Sequence, residues 1–113
     1  MAALRRIGLI LTGGTIDSVG RDRLDLAWYL EAGQRLGPGE LLARLPELAS
    51  IAQVTEIPFR RMHSHALLDK DWLELAGKIE AIFAADEADG IVITHGTNTL
   101  EETAYFLNLV LKT

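Results

Sequence analysis

Three short apolar runs, each cut off by turn residues and separated by stretches of helical period, constrain this chain more than any other feature. The first lies in the strand-like segment Leu4–Leu11 and stops at Gly13-Gly14. The second, Ile51–Ile57, stops at Pro58, and the third, Ile91-Val92-Ile93-Thr94, lies between Asp89-Gly90 and Gly96. Short runs of this kind bounded by Gly and Pro read as buried strands. Strands joined through helices need right-handed crossovers, which make neighbouring strands parallel. The predicted order is β–loop–α–β–α–β–α. The fold class is α/β, a three-layer doubly wound sheet with mainly parallel strands.

The helical segments are unequal. Trp72, Leu75, Ala76, Ile79, Ile82 and Phe83 fall at the spacing of one amphipathic stripe, so they are core and not a cofactor box. Asp69 is the expected N-cap of that helix, and Asp71 adds negative charge at the positive end of its dipole. Thr99-Leu100-Glu101-Glu102 has capping-box form and predicts a second helix with Leu100, Thr103, Ala104, Leu107 and Leu111 on one face. Pro38 to Leu45 reads as a short helix with Pro near its first turn. Residues 12–37 show no sustained period and carry Asp17, Arg21, Asp22, Arg23 and Asp25 close together. A stretch that long is expected to be a functional loop or lid.

Composition narrows the function classes. With 113 residues the chain holds one domain at most, and 49% hydrophobic with 24% charged residues excludes a disordered or low-complexity chain. The net charge of −5 argues against nucleic acid as a partner, since phosphate binding needs a basic face. The absence of cysteine removes disulfides, thiolate zinc sites and cysteine nucleophiles. No apolar run is long enough to cross a bilayer. Arg5-Arg6 followed by an apolar run resembles a signal peptide only superficially, because the run is short and no small-residue cleavage site follows. A buried strand and a cytoplasmic protein are expected.

In a doubly wound sheet, ligands bind in the crevice outside the carboxyl ends of the strands. Two predicted strands end in similar chemistry: Thr12-Gly13-Gly14-Thr15 and Thr94-His95-Gly96-Thr97-Asn98-Thr99. Hydroxyls beside glycines let backbone N–H groups approach a substrate, and the second cluster meets a helix N-terminus, which favours an anion or a developing oxyanion. Each cluster taken alone is also explained by a tight turn and a helix cap. There is no dinucleotide or P-loop glycine pattern. His63-Ser64-His65 could present two imidazoles, but no third ligand is evident and no metal is expected. His95 is expected to be packed and hydrogen-bonded. A threonine nucleophile needs a base, and the histidines show no triad spacing, which leaves Tyr29 or a lysine as candidates.

Taken together, the segment Thr12-Gly13-Gly14-Thr15-Ile16 and the segment Ile93-Thr94-His95-Gly96-Thr97-Asn98-Thr99-Leu100-Glu101-Glu102-Thr103-Ala104-Tyr105-Phe106-Leu107 closely resemble the two signature segments of bacterial-type L-asparaginases. The resemblance implies that residues 1–113 form an incomplete N-terminal domain of the asparaginase fold. Family members also have a smaller C-terminal domain and assemble as homo-oligomers, usually tetramers built from dimers. It implies a small amide substrate, L-asparagine or L-glutamine, and no cofactor. It makes Thr15 the nucleophile that forms an acyl-enzyme and releases ammonia, Thr97 the second catalytic threonine, and Tyr29 the lid tyrosine that hydrogen-bonds the nucleophile. Ser64 is similar in position to the serine that holds the substrate carboxylate, and Asn98 stands in the ammonium-binding position. N–H groups beside Gly14 and Gly96 suit an oxyanion hole.

Two departures from the family pattern matter. The family most often has aspartate where this chain has Asn98, so ammonium recognition loses a charge, an effect of ~1 kcal/mol or more. The family's catalytic lysine lies on a later strand, and Lys112 at the far end of the last helix is no substitute for it. A fragment, inactive as written, is therefore expected. The competing readings are the asparaginase-like subunit of a tRNA-dependent amidotransferase and a non-catalytic amino-acid-binding domain.

Overall fold

The computed structural model describes residues 3–31, 33–62 and 66–113. Along the chain the elements are β1 (Arg5–Leu11), β2 (Ser18–Val19), β3 (Gln34–Arg35), α1 (Glu40–Ala43), β4 (Ala52–Ile57), α2 (Asp69–Ala84), β5 (Gly90–Thr94) and α3 (Leu100–Val110). Single 3-10 turns occupy Thr15–Asp17 and Pro46–Ser50. Among the described residues the main sheet has the order β4-β1-β5, with both pairings parallel. The first strand in sequence is thus the central one, which explains why its burial deepens to Leu9, Ile10 and Leu11.

The chain leaves β1 toward β4, then crosses back through α2 to reach β5 on the opposite side. Strand order therefore reverses between β1 and β5, where an open parallel sheet forms a crevice at its carboxyl edge. The register aligns Ile10 with Ile57 and Ile93. These side chains, with Ile91, meet Leu75 and Ile79 of α2 and Leu107 of α3 in the main core. The other face presents Ile7, Leu9, Val54 and Val92, over which α1 and the 46–50 turn place Leu42, Leu45 and Leu48 around a hollow of about 340 Å³. Of the two helix layers in a three-layer sheet, α2 and α3 supply one in full and α1 part of the other.

Several expectations shift in detail. The N-cap of α2 is Leu68 rather than Asp69; Asp71, at the third helical position, accepts the Leu68 N–H at 2.9 Å. The helix expected over 38–45 is a single turn, Glu40–Ala43, behind a left-handed Gly39. Thr99 holds the N-cap position of α3, yet its hydroxyl makes no capping bond. The buried stripe of α3 runs through Thr103 and Leu107 while Leu100 and Ala104 face outward, because Phe106 turns inward to stack on Trp72 at 5.6 Å. Residues 12–37 are not wholly irregular, since the 3-10 turn and the antiparallel β2–β3 ladder lie within them.

Candidate active site

The carboxyl ends of β1 and β5 are stitched together by Thr12. Its hydroxyl donates to the Thr94 carbonyl at 2.7 Å and its N–H to the same oxygen at 3.2 Å. Its own carbonyl accepts the Met62 N–H at 2.8 Å, which brings in the segment after β4. Beyond Thr12 the chain turns with φ of 91° at Gly13 and 103° at Gly14, a region open to glycine and strained for other residues. A Cβ at Gly13 would stand 2.5 Å from the Met62 oxygen, and one at Gly14 would stand 2.6 Å from the Gly96 Cα. The glycines therefore let two strand-end loops touch backbone to backbone. One residue past each contact stands an exposed threonine: Thr15 after Gly14, and Thr97 after Gly96.

His95 is tied down on both sides. Its Nδ1 lies 2.6 Å from the Gly96 carbonyl, and a carbonyl only accepts, so Nδ1 carries the proton. In the neutral ring Nε2 then accepts the Thr103 hydroxyl at 2.8 Å, and that oxygen in turn accepts the Trp72 indole N–H at 2.8 Å. The chain of bonds runs from α2 through α3 to the Gly96 loop, and His95 is packed and hydrogen-bonded as expected. On the opposite flank Arg60 pairs with the buried Asp71 and, at 2.7 Å, with Glu74, fastening the 60–62 segment to α2. The Leu68 N–H holds the Asp71 carboxyl below the usual carboxylate range, opposed by burial and assisted by Arg60.

The structure separates the residues the sequence grouped. Thr12 is buried and structural, whereas Thr15, Thr97 and Asn98 are exposed at the crevice. Tyr29 sits half-buried in a turn of the excursion between β2 and β3; among the described residues no hydrogen bond joins it to Thr15. Ser64, with His63 and His65, lies outside the described residues. No group of three metal-ligating side chains comes together among the described residues. Sequence reasoning missed the buried Asp17, two residues after Thr15, and its partner Arg35 at 3.0 Å. A carboxylate directly after the Thr12-Gly13-Gly14-Thr15-Ile16 segment was the available signal.

Comparison with known proteins agrees with this architecture. The family model described as "Asparaginase, N-terminal" matches residues 6–113. A glutaminase-asparaginase of Pseudomonas fluorescens biotype A is 41% identical over 110 residues, 97% of this chain and 30% of that protein. A protein of Haemophilus influenzae described as a probable periplasmic L-asparaginase is 40% identical over 111 residues, 98% of this chain and 30% of its own length. A crystal structure described as a probable cytoplasmic L-asparaginase from Campylobacter jejuni superposes with a TM-score of 0.83 at 37% identity, covering 96% of this chain and 32% of that one. The chain thus spans about a third of the length of the relatives it matches.

Proposed function

Because this chain belongs to the asparaginase N-terminal family, we propose that it is the nucleophile-bearing part of an amidohydrolase acting on a small amide, L-asparagine first and L-glutamine second. Residues 1–113 are then the incomplete N-terminal portion of the catalytic domain. The observation that carries the reading is the contact of Gly14 with Gly96, which sets two exposed threonines at the mouth of one crevice where strand order reverses. In this reading the Thr15 Oγ attacks the side-chain amide carbon, forming an ester as the C–N bond breaks. The departing nitrogen takes the hydroxyl proton and leaves as ammonia. Water then cleaves the ester, releasing the carboxylate and restoring the hydroxyl.

Thr97 positions that water or relays its proton, and Tyr29 hydrogen-bonds the nucleophile when its segment closes over the crevice. Ser64 takes the substrate carboxylate and Asn98 the ammonium. N–H groups beside Gly14 and Gly96 stabilise the oxyanion, an effect worth a few kcal/mol in such sites. A homo-oligomer and a cytoplasmic location complete the proposal. Outward-facing Tyr105 and Leu109 on α3 support the first. The description of the C. jejuni neighbour supports the second, against that of the H. influenzae relative.

Ammonia release from L-asparagine and L-glutamine by the protein expressed from its gene tests the reading. Release from asparagine is expected, with less from glutamine. Tight binding of asparagine or aspartate in calorimetry with no ammonia would replace the enzyme with an amino-acid-binding module.

A further inference from the structure

We infer that the Asp17–Arg35 ion pair is a positioning element for Thr15, an inference that rests on the proposed role of Thr15 as nucleophile. Asp17 closes the 3-10 turn that begins at Thr15, and its side chain is only 4% exposed. Its Oδ1 accepts from Arg35 Nη1 at 3.0 Å, and the same nitrogen reaches the Gly14 carbonyl at 3.3 Å. One guanidinium nitrogen, with its two N–H groups, therefore grips the chain on both sides of Thr15. Fixing the Gly14 carbonyl fixes the Thr15 N–H as well, because the two are antiparallel across a trans peptide bond. That N–H points away from Arg35.

The grip has a rigid base. The Leu36 N–H donates to the Asp17 carbonyl at 2.8 Å. Arg61 donates to the Leu36 carbonyl and pairs with Glu56 near the end of β4 at 2.9 Å. Ser18 stands opposite Arg35 and Val19 opposite Gln34 in the β2–β3 ladder, so the excursion that carries Tyr29 leaves and returns one pair beyond Arg35. As a device for stability alone the arrangement is poor. Asp17 Oδ2 is buried with no hydrogen-bond partner among the described residues, and a buried ion pair does little better than break even against its desolvation. What the pair supplies is geometry: three fixed points around one exposed hydroxyl residue. A nucleophile displaced by an ångström loses rate rather than affinity.

The test is a comparison of kcat and KM for L-asparagine across Asp17→Asn, Arg35→Gln, their double variant, Arg35→Lys and Thr15→Ala, in the protein expressed from its gene. Asp17→Asn and the double variant leave no buried charge behind, so they keep the fold even if Arg35→Gln, which strands the buried Asp17 carboxylate, does not, and thermal melting checks each variant. Each neutral single variant is expected to lower kcat by about tenfold or more with KM within about twofold. The double variant should be no worse than the worse single, and Arg35→Lys should recover part of the loss. An unchanged kcat in Arg35→Gln, losses that multiply in the double variant, or a fall in kcat that merely tracks the folded fraction would overturn the inference. If Thr15→Ala is inert while Arg35→Gln is fully active, only the role of the pair fails. If Thr15→Ala stays active, the nucleophile assignment fails and takes this inference with it.

Discussion

At Gly14 a φ of 103° and a Gly96 Cα 2.6 Å from where a Cβ would stand exclude a larger side chain twice over, once by conformation and once by space. Gly14→Ala must therefore push the β1 and β5 loops apart. The expected result is a loss of kcat of about a hundredfold, the scale of a 1 Å misplacement, with the remaining fold intact by circular dichroism. A variant with wild-type kcat would show that the contact does not organise the crevice. Asn98 poses a question of charge instead. In the proposed ammonium-binding role it supplies an acceptor oxygen but no negative charge, and charged hydrogen bonds exceed neutral ones by ~1 kcal/mol. Asn98→Asp should lower KM for L-asparagine by roughly fivefold; an equal or higher KM removes Asn98 from ammonium recognition.

Among the elements, β1 is held at both ends by different chemistry. Its carboxyl end is stitched by Thr12 to Thr94, while its amino end is clasped by Arg6 to the turn before β5. Arg6 Nη2 lies 2.7 Å from Asp89 Oδ1 and 2.8 Å from Asp86 Oδ1, and the Arg6 N–H donates to Asp89 Oδ2 at 2.7 Å. These bonds hold the Asp89 carboxyl down at about 2, the guanidinium contributing most and the backbone N–H next. In the unfolded chain the same group titrates near about 3.9, so between these values the unfolded state binds more protons. The stability Asp89 contributes is present above about pH 4 and lost as pH falls toward about 2. Urea unfolding at a series of pH values should show a shallower decline over that window in Asp89→Asn, and an identical decline would contradict the assignment. The three main strands and α2 are legible in the sequence because their signals are local: short apolar runs stopped by glycine or proline, and the Trp72-to-Phe83 stripe. The β2–β3 ladder is not, since its two-residue strands carry no alternation and owe their pairing to contacts from Arg35 and Leu36 to Asp17. The first glycine–threonine loop is readable for the same local reason, a backbone at Gly13 and Gly14 that favours glycine. The convergence of the two loops is a property of strand order, and the Asp17–Arg35 pair spans 18 positions that no short-range pattern connects.

At the largest scale the 113-residue chain is a plate, 41 × 40 × 19 Å. Its radius of gyration of 15.3 Å exceeds the ~13 Å of a compact chain of this length. The short dimension is about that of one sheet plus one layer of helices. One face of the sheet is sealed by α2 and α3, and the other leaves Val92 and Ile16 each 51% exposed beside the hollow under α1. The 113-residue chain on its own should therefore enhance the fluorescence of a hydrophobic dye, and Val92→Ser with Ile16→Ser should reduce that emission; unchanged emission would place the dye elsewhere. The plate concentrates its chemistry on one rim, where strand order reverses and the two glycine loops meet. That rim is a reaction centre only if Thr15 forms the bond to substrate. The direct measurement is the rate of ammonia release from L-asparagine by the protein expressed from its gene and by its Thr15→Ala variant. A loss of about a thousandfold or more in a variant that melts like the unsubstituted protein is the expected result, whereas release at close to the original rate would show that another group attacks the amide.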